Sequence, residues 1–441
     1  MSAQVKLTII EGTLIGKEFI FKERTICIIG RHKDCNLRLP SDEEHRTISR
    51  YHCILYVNLP DIRIRDFGSK NGTYINGKKI GQRQPNHTPE ADPKIQFPEY
   101  NLKSGDKIQL GTIVFELSIE TQREIVSTPK KSQAETVKSL VKTAKSKSDN
   151  FIKIPGYRTI KLLGKGRNGE VYLARNNCTQ KLIAIKIILP ETNTHPQAID
   201  QFLRELENTK ALNHKNVVRL EDYSYSDRQF ILTLEYCNGG SIWSLLERCG
   251  YQLSINMAVP IIIQALDGLD YAHNAEIPYF NKADGSFDKG KGLVHLNIRP
   301  ANIFLSNINS STVVKIADYG LTKAFDFAGF SNQIIGGNKG ENFPFIPRQQ
   351  IINFKDVKPE VDVWAMAATL YNMLTGAYPR DFVGKDPILT ILQTKPVPIR
   401  KRNIAIPKSL AEVIDLALID EPEIYFKTAK EFKQALLGSI F

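Results

Sequence analysis

Apolar and β-branched residues alternate with polar ones in short runs over the first stretch of the chain: VKLTII, TICIIG, HCILYV, IRIRDF, KIQLG and IVFELSI, with Gly, Asn and Asp turns between them. A period of two in closely spaced runs predicts half-buried strands packed as a β-sandwich. Residues 121–150 contain no aromatic and are rich in Ser, Thr and Lys, which is a linker composition. Within them Val137, Leu140, Val141 and Ala144 fall at helical spacing and predict a short helix over 134–144. From Tyr157 strand-like runs return (RTIKLLG, EVYLAR, LIAIKII), and helical stretches dominate after them. The expected organisation is multi-domain: an all-β sandwich over 1–119, a linker over 120–150, and an α+β domain of two lobes over 151–441.

Composition adds bounds. A chain of 441 residues suits two or three domains of about 150 residues each. With 42% hydrophobic and 24% charged residues it is not a collagen, a coiled-coil rod or a wholly disordered chain. The net charge of +12 raises nucleic acid, anionic membrane and phosphorylated protein as partners. Residues 121–150 hold seven basic and three acidic residues, so a third of that excess lies in the linker. No RNA- or DNA-binding motif is present, and no nucleic acid is expected. No run of about 18 apolar residues exists, so no membrane span is expected. Glu11 comes too early for a secretory apolar region. Six cysteines without a CxxC pair fit reduced thiols and a cytoplasmic location.

Three fragments of the first domain carry chemistry. Gly30-Arg31 ends a strand, Ser49-Arg50-Tyr51-His52 starts the next, and Asp66–Gly77 (DFGSKNGTYING) forms two turns around a strand. Arg31 and Arg50 offer charge-assisted donors, Ser49 a hydroxyl and Asn71 an amide. Loops at one end of a sandwich are a natural place for a binding site. In order and spacing these fragments resemble the forkhead-associated (FHA) domain. The resemblance implies a phosphothreonine peptide as partner. Arg31, Ser49 and Arg50 would hold the phosphate, Asn71 the peptide backbone, and His52 would brace the loops from inside.

In the second domain Gly164-Lys165-Gly166-Arg167-Asn168-Gly169-Glu170-Val171 lies between two expected strands, followed by Ala184-Ile185-Lys186. A dinucleotide site would need a helix after the glycines; here a strand follows. A glycine-rich strand–turn–strand with a Lys on the next strand suits a phosphate cover. Then come Glu205, a hinge-like Leu234-Glu235-Tyr236-Cys237-Asn238-Gly239-Gly240, His295–Asn302 (HLNIRPAN), Asp318-Tyr319-Gly320 and Asp362-Val363-Trp364. This series resembles the eukaryotic-type serine/threonine protein kinases that bacteria also carry. The resemblance implies ATP and Mg2+ as cofactors. Gly164, Gly166, Gly169, Val171, Ala184, Lys186, Glu205, Glu235 and Cys237 would form the nucleotide site, with Glu205 paired to Lys186. Asn302 and Asp318 would hold the metal, and Asp362 would anchor the catalytic loop. Residues 276–292 exceed the family's length and are expected as a surface loop.

The resemblance breaks at particular residues. The family's catalytic loop reads HRDxKxxN, whereas this chain has Leu296, Asn297 and Arg299 where that loop has Arg, Asp and Lys. An amide at 297 cannot take a proton near neutral pH, and loss of a general base costs about 10²–10⁴-fold. Leu296 removes the receptor for a phosphorylated activation segment. A buried Glu–Arg pair of the family aligns with Gln349 and Tyr425, so both partners are replaced. The leading expectation is a phosphothreonine-reading pseudokinase that binds ATP and Mg2+. The alternatives are an active, slow serine/threonine kinase and a phosphopeptide adaptor without nucleotide. Thr128, Thr136 and Thr143 make the linker itself a candidate ligand for the first domain.

Overall fold

The computed structural model describes residues 3–121 and 154–440, apart from 23, 60, 85–96, 167–168, 190–195, 227, 282–286, 309–310, 322–341 and 354–355. The expected linker helix over 134–144 and the three linker threonines lie outside the described residues. The chain divides into two compact units: Met1–Ser132 with Arg348–Val357 and Arg380–Lys395, and Gln133–Pro347 with Lys358–Pro379 and Pro396–Phe441.

The first unit is a β-sandwich. One sheet contains β1 (Ala3–Glu11), β2 (Glu18–Phe21), β7 (Thr73–Ile75), β8 (Lys78–Gly81), β10 (Lys107–Leu110) and β11 (Ile113–Thr121) in the order β2-β1-β11-β10-β7-β8. The other contains β3 (Thr25–Gly30), β4 (Leu37–Arg38), β5 (Cys53–Asn58), β6 (Asp61–Asp66) and β9 (Tyr100–Leu102) in the order β4-β3-β5-β6-β9. Val5, Leu7 and Ile9 alternate along β1 and are all buried, with Leu55, Ile64, Ile108, Phe115 and Leu117 in the same core. Each such side chain contributes about 1.5–3 kcal/mol through burial, which fixes the register, since a one-residue slip would turn the whole row outward. At the end of β3, a Cβ on Gly30 would lie 2.2 Å from the Arg50 carbonyl oxygen. Only glycine lets β3 meet the turn that carries Ser49 and Arg50.

The second unit opens with β12 (Tyr157–Gly166), β13 (Gly169–Asn176), β14 (Leu182–Ile188), β15 (Leu220–Ser226) and β16 (Gln229–Glu235), ordered β12-β13-β14-β16-β15. Helix α1 (Pro196–Lys210) packs Phe202 and Leu206 against Ile188, Phe230, Leu232 and Leu321. The helical part follows with α2 (Ile242–Arg248), α3 (Ile255–Asn274), α5 (Glu360–Thr375), α7 (Lys408–Ala417) and α8 (Ala429–Ile440); α4 (Arg348–Ile352) and α6 (Pro387–Gln393) count with the first unit. Every residue of α5 from Val361 to Leu374 is buried, as befits a helix apolar on all sides. It ends where Gly376 takes a left-handed φ of 68°. Strands β17 (Gly240–Ser241), which leads into α2, and β20 (Ile303–Ile308) and β21 (Ser311–Ile316), which precede the Asp318 segment, form a small sheet in the order β17-β20-β21.

The expected surface loop over 276–292 is instead an antiparallel hairpin, β18 (Glu276–Asn281) with β19 (Phe287–Lys291). Gly, Asp and Lys in the segment suggested a loop, but two strands pair here and β18 packs on α1.

Candidate functional site

The loops of the first unit gather the residues expected to read phosphothreonine. Arg31 is held by its Nε donating to the Ile48 carbonyl (2.5 Å) and Nη1 to the Ser41 hydroxyl (3.1 Å). Ser49 Oγ accepts the Lys70 N–H at 2.9 Å, which joins the Ser49 turn to the turn that carries Asn71. Asn71 Nδ2 donates to the Thr47 carbonyl at 2.6 Å. Arg50 is exposed at the loop tip. Beneath them His52 is fully buried. The Ser49 N–H donates to its Nδ1 (3.0 Å), so the ring proton sits on Nε2 and is given to the Gly72 carbonyl (3.1 Å). Burial holds the His52 pKa below the usual value of 6.5, against the pull of Asp66. Asp66, also buried, accepts from the N–H groups of Gly68 and Ser69 and from the hydroxyls of Ser69 and Thr73. A neutral imidazole and one saturated carboxylate thus set the loops from inside.

The second unit builds a nucleotide-type site from strands. Gly164 pairs with Val171, Lys165 with Glu170 and Gly166 with Gly169, so the glycine run is the tip of a β-hairpin. A Cβ on Gly169 would come 1.7 Å from the Ile187 carbonyl oxygen, and its φ of 129° also demands glycine. One strand over, Val171 pairs with Lys186 and Leu173 with Ala184. Ile183 pairs with Glu235, placing the start of the hinge beside Ala184. Glu235 is tied by an ion pair to Lys315 at 3.0 Å. Cys237 is buried with Val218 and Ala317, and burial pushes its thiol pKa up to about 12. It is therefore an apolar wall rather than a nucleophile.

The charged centre differs from expectation. Lys186 Nζ donates to both carboxylate oxygens of Asp318, at 2.9 and 2.8 Å. Glu205 Oε2 lies 3.5 Å from Asn208 Nδ2. The expected Lys186–Glu205 ion pair is absent among the described residues. Burial raises the Asp318 pKa, but the charge of Lys186 outweighs it and holds the group below its usual 3.8. Asn302 is buried and donates its Nδ2 to the Asn297 carbonyl at 2.8 Å, leaving its amide oxygen as an acceptor. An amide oxygen and a carboxylate form a hard-oxygen set that suits Mg2+ completed by phosphates and water. The residues fit the metal, and Asp318 would hold it in place of its bond to Lys186.

Asp362 anchors the catalytic loop as expected. Its oxygens accept the N–H groups of His295 (2.7 Å) and Leu296 (2.8 Å). His273 Nε2 is 2.9 Å away. Burial raises the Asp362 pKa, yet the His273 hydrogen bond and neighbouring charges bring it below 3.8. His295 is fully buried, and burial lowers its pKa below 6.5. Leu296 and Asp318 adopt left-handed φ values of 65° and 66°. Such backbone costs about 1–3 kcal/mol per residue and persists only where neighbours impose it. Asn297 is half-buried, and Arg299 caps the 3-10 turn Pro300–Asn302. Gln349 is half-buried on α4, beside Arg348, whose guanidinium donates to the Leu392 carbonyl; Tyr425 is 53% exposed.

Family comparison agrees with this geometry. The protein kinase domain model matches residues 157–420, and the FHA domain model matches residues 27–111. The chain belongs to the protein kinase family. Its kinase domain is joined to an FHA domain, a type that generally binds phosphothreonine peptides. The kinase family in general uses ATP and Mg2+. A probable serine/threonine-protein kinase fhkA of Dictyostelium discoideum is 28% identical over 80% of this chain and 60% of its own length. Serine/threonine-protein kinase PknA of Mycobacterium tuberculosis is 27% identical over 64% of this chain and 60% of its own. The chain thus spans about 60% of the length of these curated relatives. A crystal structure of a double mutant of the M. tuberculosis PknI kinase domain shares the fold, with a TM-score of 0.50 at 22% identity, covering 68% of this chain and 100% of that one. No described helix of the kinase chain is long and apolar enough to cross a membrane.

Several residues of the two domains escaped sequence reasoning. His273, at the end of α3, supports Asp362; its position in YAHN before the 276–292 segment was the available signal. Lys315 and Thr47 act through contacts distant in sequence, and no local pattern marks them. Asn208 and Thr209 sit where the helical period alone reads them as two more α1 residues.

Proposed function

We propose that the chain reads a phosphothreonine with its FHA domain and binds ATP with Mg2+ in its kinase domain, while phosphoryl transfer is impaired. Arg31 and Arg50 would neutralise the phosphate, Ser49 would donate a hydroxyl, and Asn71 would grip the peptide backbone. In the kinase domain the Gly164–Val171 hairpin covers phosphates and Lys186 supplies a positive charge to them. Ala184 and Cys237 wall the base, and the hinge backbone at Glu235–Cys237 would meet its edge. Asn302 and Asp318 would hold magnesium, which would supply positive charge to the phosphates.

The observation that carries the impaired-transfer reading is Asn297. Transfer to a protein hydroxyl breaks the bond from the γ-phosphorus to the β,γ-bridging oxygen, and the substrate O–H proton must leave. The side chain that would accept it is a carboxamide with no basic lone pair near neutral pH. Loss of this acceptor leaves positioning and charge, which supply much of phosphoryl transfer. Such a protein acts as a scaffold or allosteric subunit. Phosphothreonine in its own linker, at Thr128, Thr136 or Thr143, is one ligand the FHA domain would take; mass spectrometry that finds no linker phosphothreonine removes that ligand.

A second reading is an active serine/threonine kinase of low rate. It is favoured by the left-handed backbone at Leu296 and Asp318 and by the Asp362 clamp, a loop geometry kept without its aspartate. Phosphoryl transfer to generic substrates by wild type, Asn297→Asp and Lys186→Ala separates the two. The first reading expects wild type at the Lys186→Ala level and a large gain in Asn297→Asp. The second expects wild type well above Lys186→Ala.

A further inference from the structure

We propose that Asn208 is a positioning residue that, clamped to the inserted β18–β19 hairpin, sets whether Lys186 pairs with Asp318 or with Glu205. The inference rests on the nucleotide-site reading of Lys186 and Asp318.

The hairpin is irregular at one place. Ile277 pairs with Gly290 and Phe280 with Asp288, and the register shifts between them. Pro278 has no N–H, and Tyr279 sits in the bulge. Both backbone groups of Tyr279 are taken by one side chain of α1. The Tyr279 N–H donates to Asn208 Oδ1 at 2.9 Å, and Asn208 Nδ2 donates to the Tyr279 carbonyl at 2.9 Å. A carboxamide thus replaces a missing strand neighbour. Asn208 is only 2% exposed, so this is a built contact rather than a surface encounter.

The same amide also meets Glu205, three residues earlier on α1. Its Nδ2 lies 3.5 Å from Glu205 Oε2, at the outer limit of a hydrogen bond, while Lys186 closes on Asp318. Thr209 fastens the next position: its hydroxyl lies 2.8 Å from the Glu205 carbonyl and 3.0 Å from the Tyr319 carbonyl. A Cβ on Gly320 would lie 2.5 Å from Thr209 Oγ1. Helix α1 is therefore bound on one side to the hairpin and on the other to the Asp318-Tyr319-Gly320 segment. Releasing the hairpin frees α1 to bring Glu205 to Lys186, and Asp318 then becomes available to a cation.

The test uses the full chain as wild type, Asn208→Ala and Asn208→Asp, the last keeping the acceptor for Tyr279 N–H but losing the donor. Native-state hydrogen exchange without nucleotide reads the clamp. Exchange in Asn208→Ala is expected at least tenfold faster at Tyr279, through Glu205–Lys210 and at Tyr319–Gly320, with Asn208→Asp between. Binding of a fluorescent ATP analogue with and without Mg2+ reads the consequence: the Mg2+-dependent gain in affinity is expected to rise at least threefold in Asn208→Ala. Unchanged exchange overturns the proposal, as does faster exchange with an unaltered Mg2+ effect. If wild type binds no nucleotide, the site reading of Lys186 fails on its own. Exchange then decides: acceleration that reaches Glu205 and Gly320 upholds the clamp, and acceleration confined to Tyr279 overturns it.

Discussion

Replacing Asp362 should unfold the kinase domain far more readily than replacing Asp318, although both are acidic residues of the same region. Asp362 is 1% exposed and accepts two buried backbone N–H groups and the His273 ring. In Asp362→Ala those donors lose a charged acceptor, and the N–H groups of His295 and Leu296 remain buried without one. Hydrogen bonds to a charged group are worth about 1.5–3 kcal/mol each and an orphaned buried N–H costs about 1–3 kcal/mol, with strong overlap between the two. A net loss of about 4 kcal/mol follows, at the upper end of single substitutions. For a domain of this size that lowers Tm by about 8–16 °C. Asp362→Asn keeps the shape but sets an NH2 against one donor, for about half the loss. Asp318→Asn breaks one ion pair whose carboxylate is 29% exposed, and should cost under about 1 kcal/mol. The assay is tryptophan fluorescence during thermal unfolding. Both tryptophans, Trp243 and Trp364, lie in the second unit, so the signal reports that unit. Trp364 is fully buried and donates to the Leu418 carbonyl, which makes it a sensitive probe of the core. A Tm for Asp362→Ala within 2 °C of wild type, or a larger loss for Asp318→Asn, would refute the argument.

Other outcomes follow from the same contacts. Burial lowers the pKa of His52 and His295 below 6.5, so the unfolded chain takes up protons before the folded one; urea midpoints should hold above about pH 6.5 and fall as pH drops below it, and a midpoint that rises toward pH 5 would contradict this. The lowered pKa values of Asp318 and Asp362 add further loss only below 3.8. Arg50→Ala should reduce phosphothreonine-peptide affinity at least tenfold in calorimetry with Tm unchanged, because Arg50 is exposed; His52→Ala should lower both, since it bridges Ser49 and Gly72. Gly169→Ala should abolish binding of a fluorescent ATP analogue, because its Cβ would collide with the Ile187 carbonyl, whereas Gly164→Ala, with open space around its Cβ, should weaken it far less.

Strands with strict alternation were legible. TICIIG is β3 itself, and HCILYV and IRIRDF differ from β5 and β6 by a residue at their ends. The edge strands β2, β4 and β8 were not, because two to four residues carry too little period. The FHA loop cluster and the Asp362 anchor could be read because motif order survives as sequence order. The partner of Lys186 could not. Glu205 and Asp318 are both carboxylates at family-like positions, and spacing along the chain does not say which one the lysine takes. The position of α1 is set by Asn208 and Thr209 through backbone groups at 279 and 319, which no spacing rule reveals. The hairpin over 276–291 was missed for a related reason: its bulge is completed from another element, so its own residues look like a loop.

The account turns on Asn297 standing where a proton acceptor would work while the nucleotide site around it is kept. The most direct measurement is a pair: calorimetric binding of Mg-ATP, and phosphoryl transfer, for wild type and Asn297→Asp. The account predicts that both proteins bind Mg-ATP with similar affinity, and that Asn297→Asp transfers phosphate about 100-fold or more faster. Equal transfer rates, with wild type well above Lys186→Ala, would contradict it.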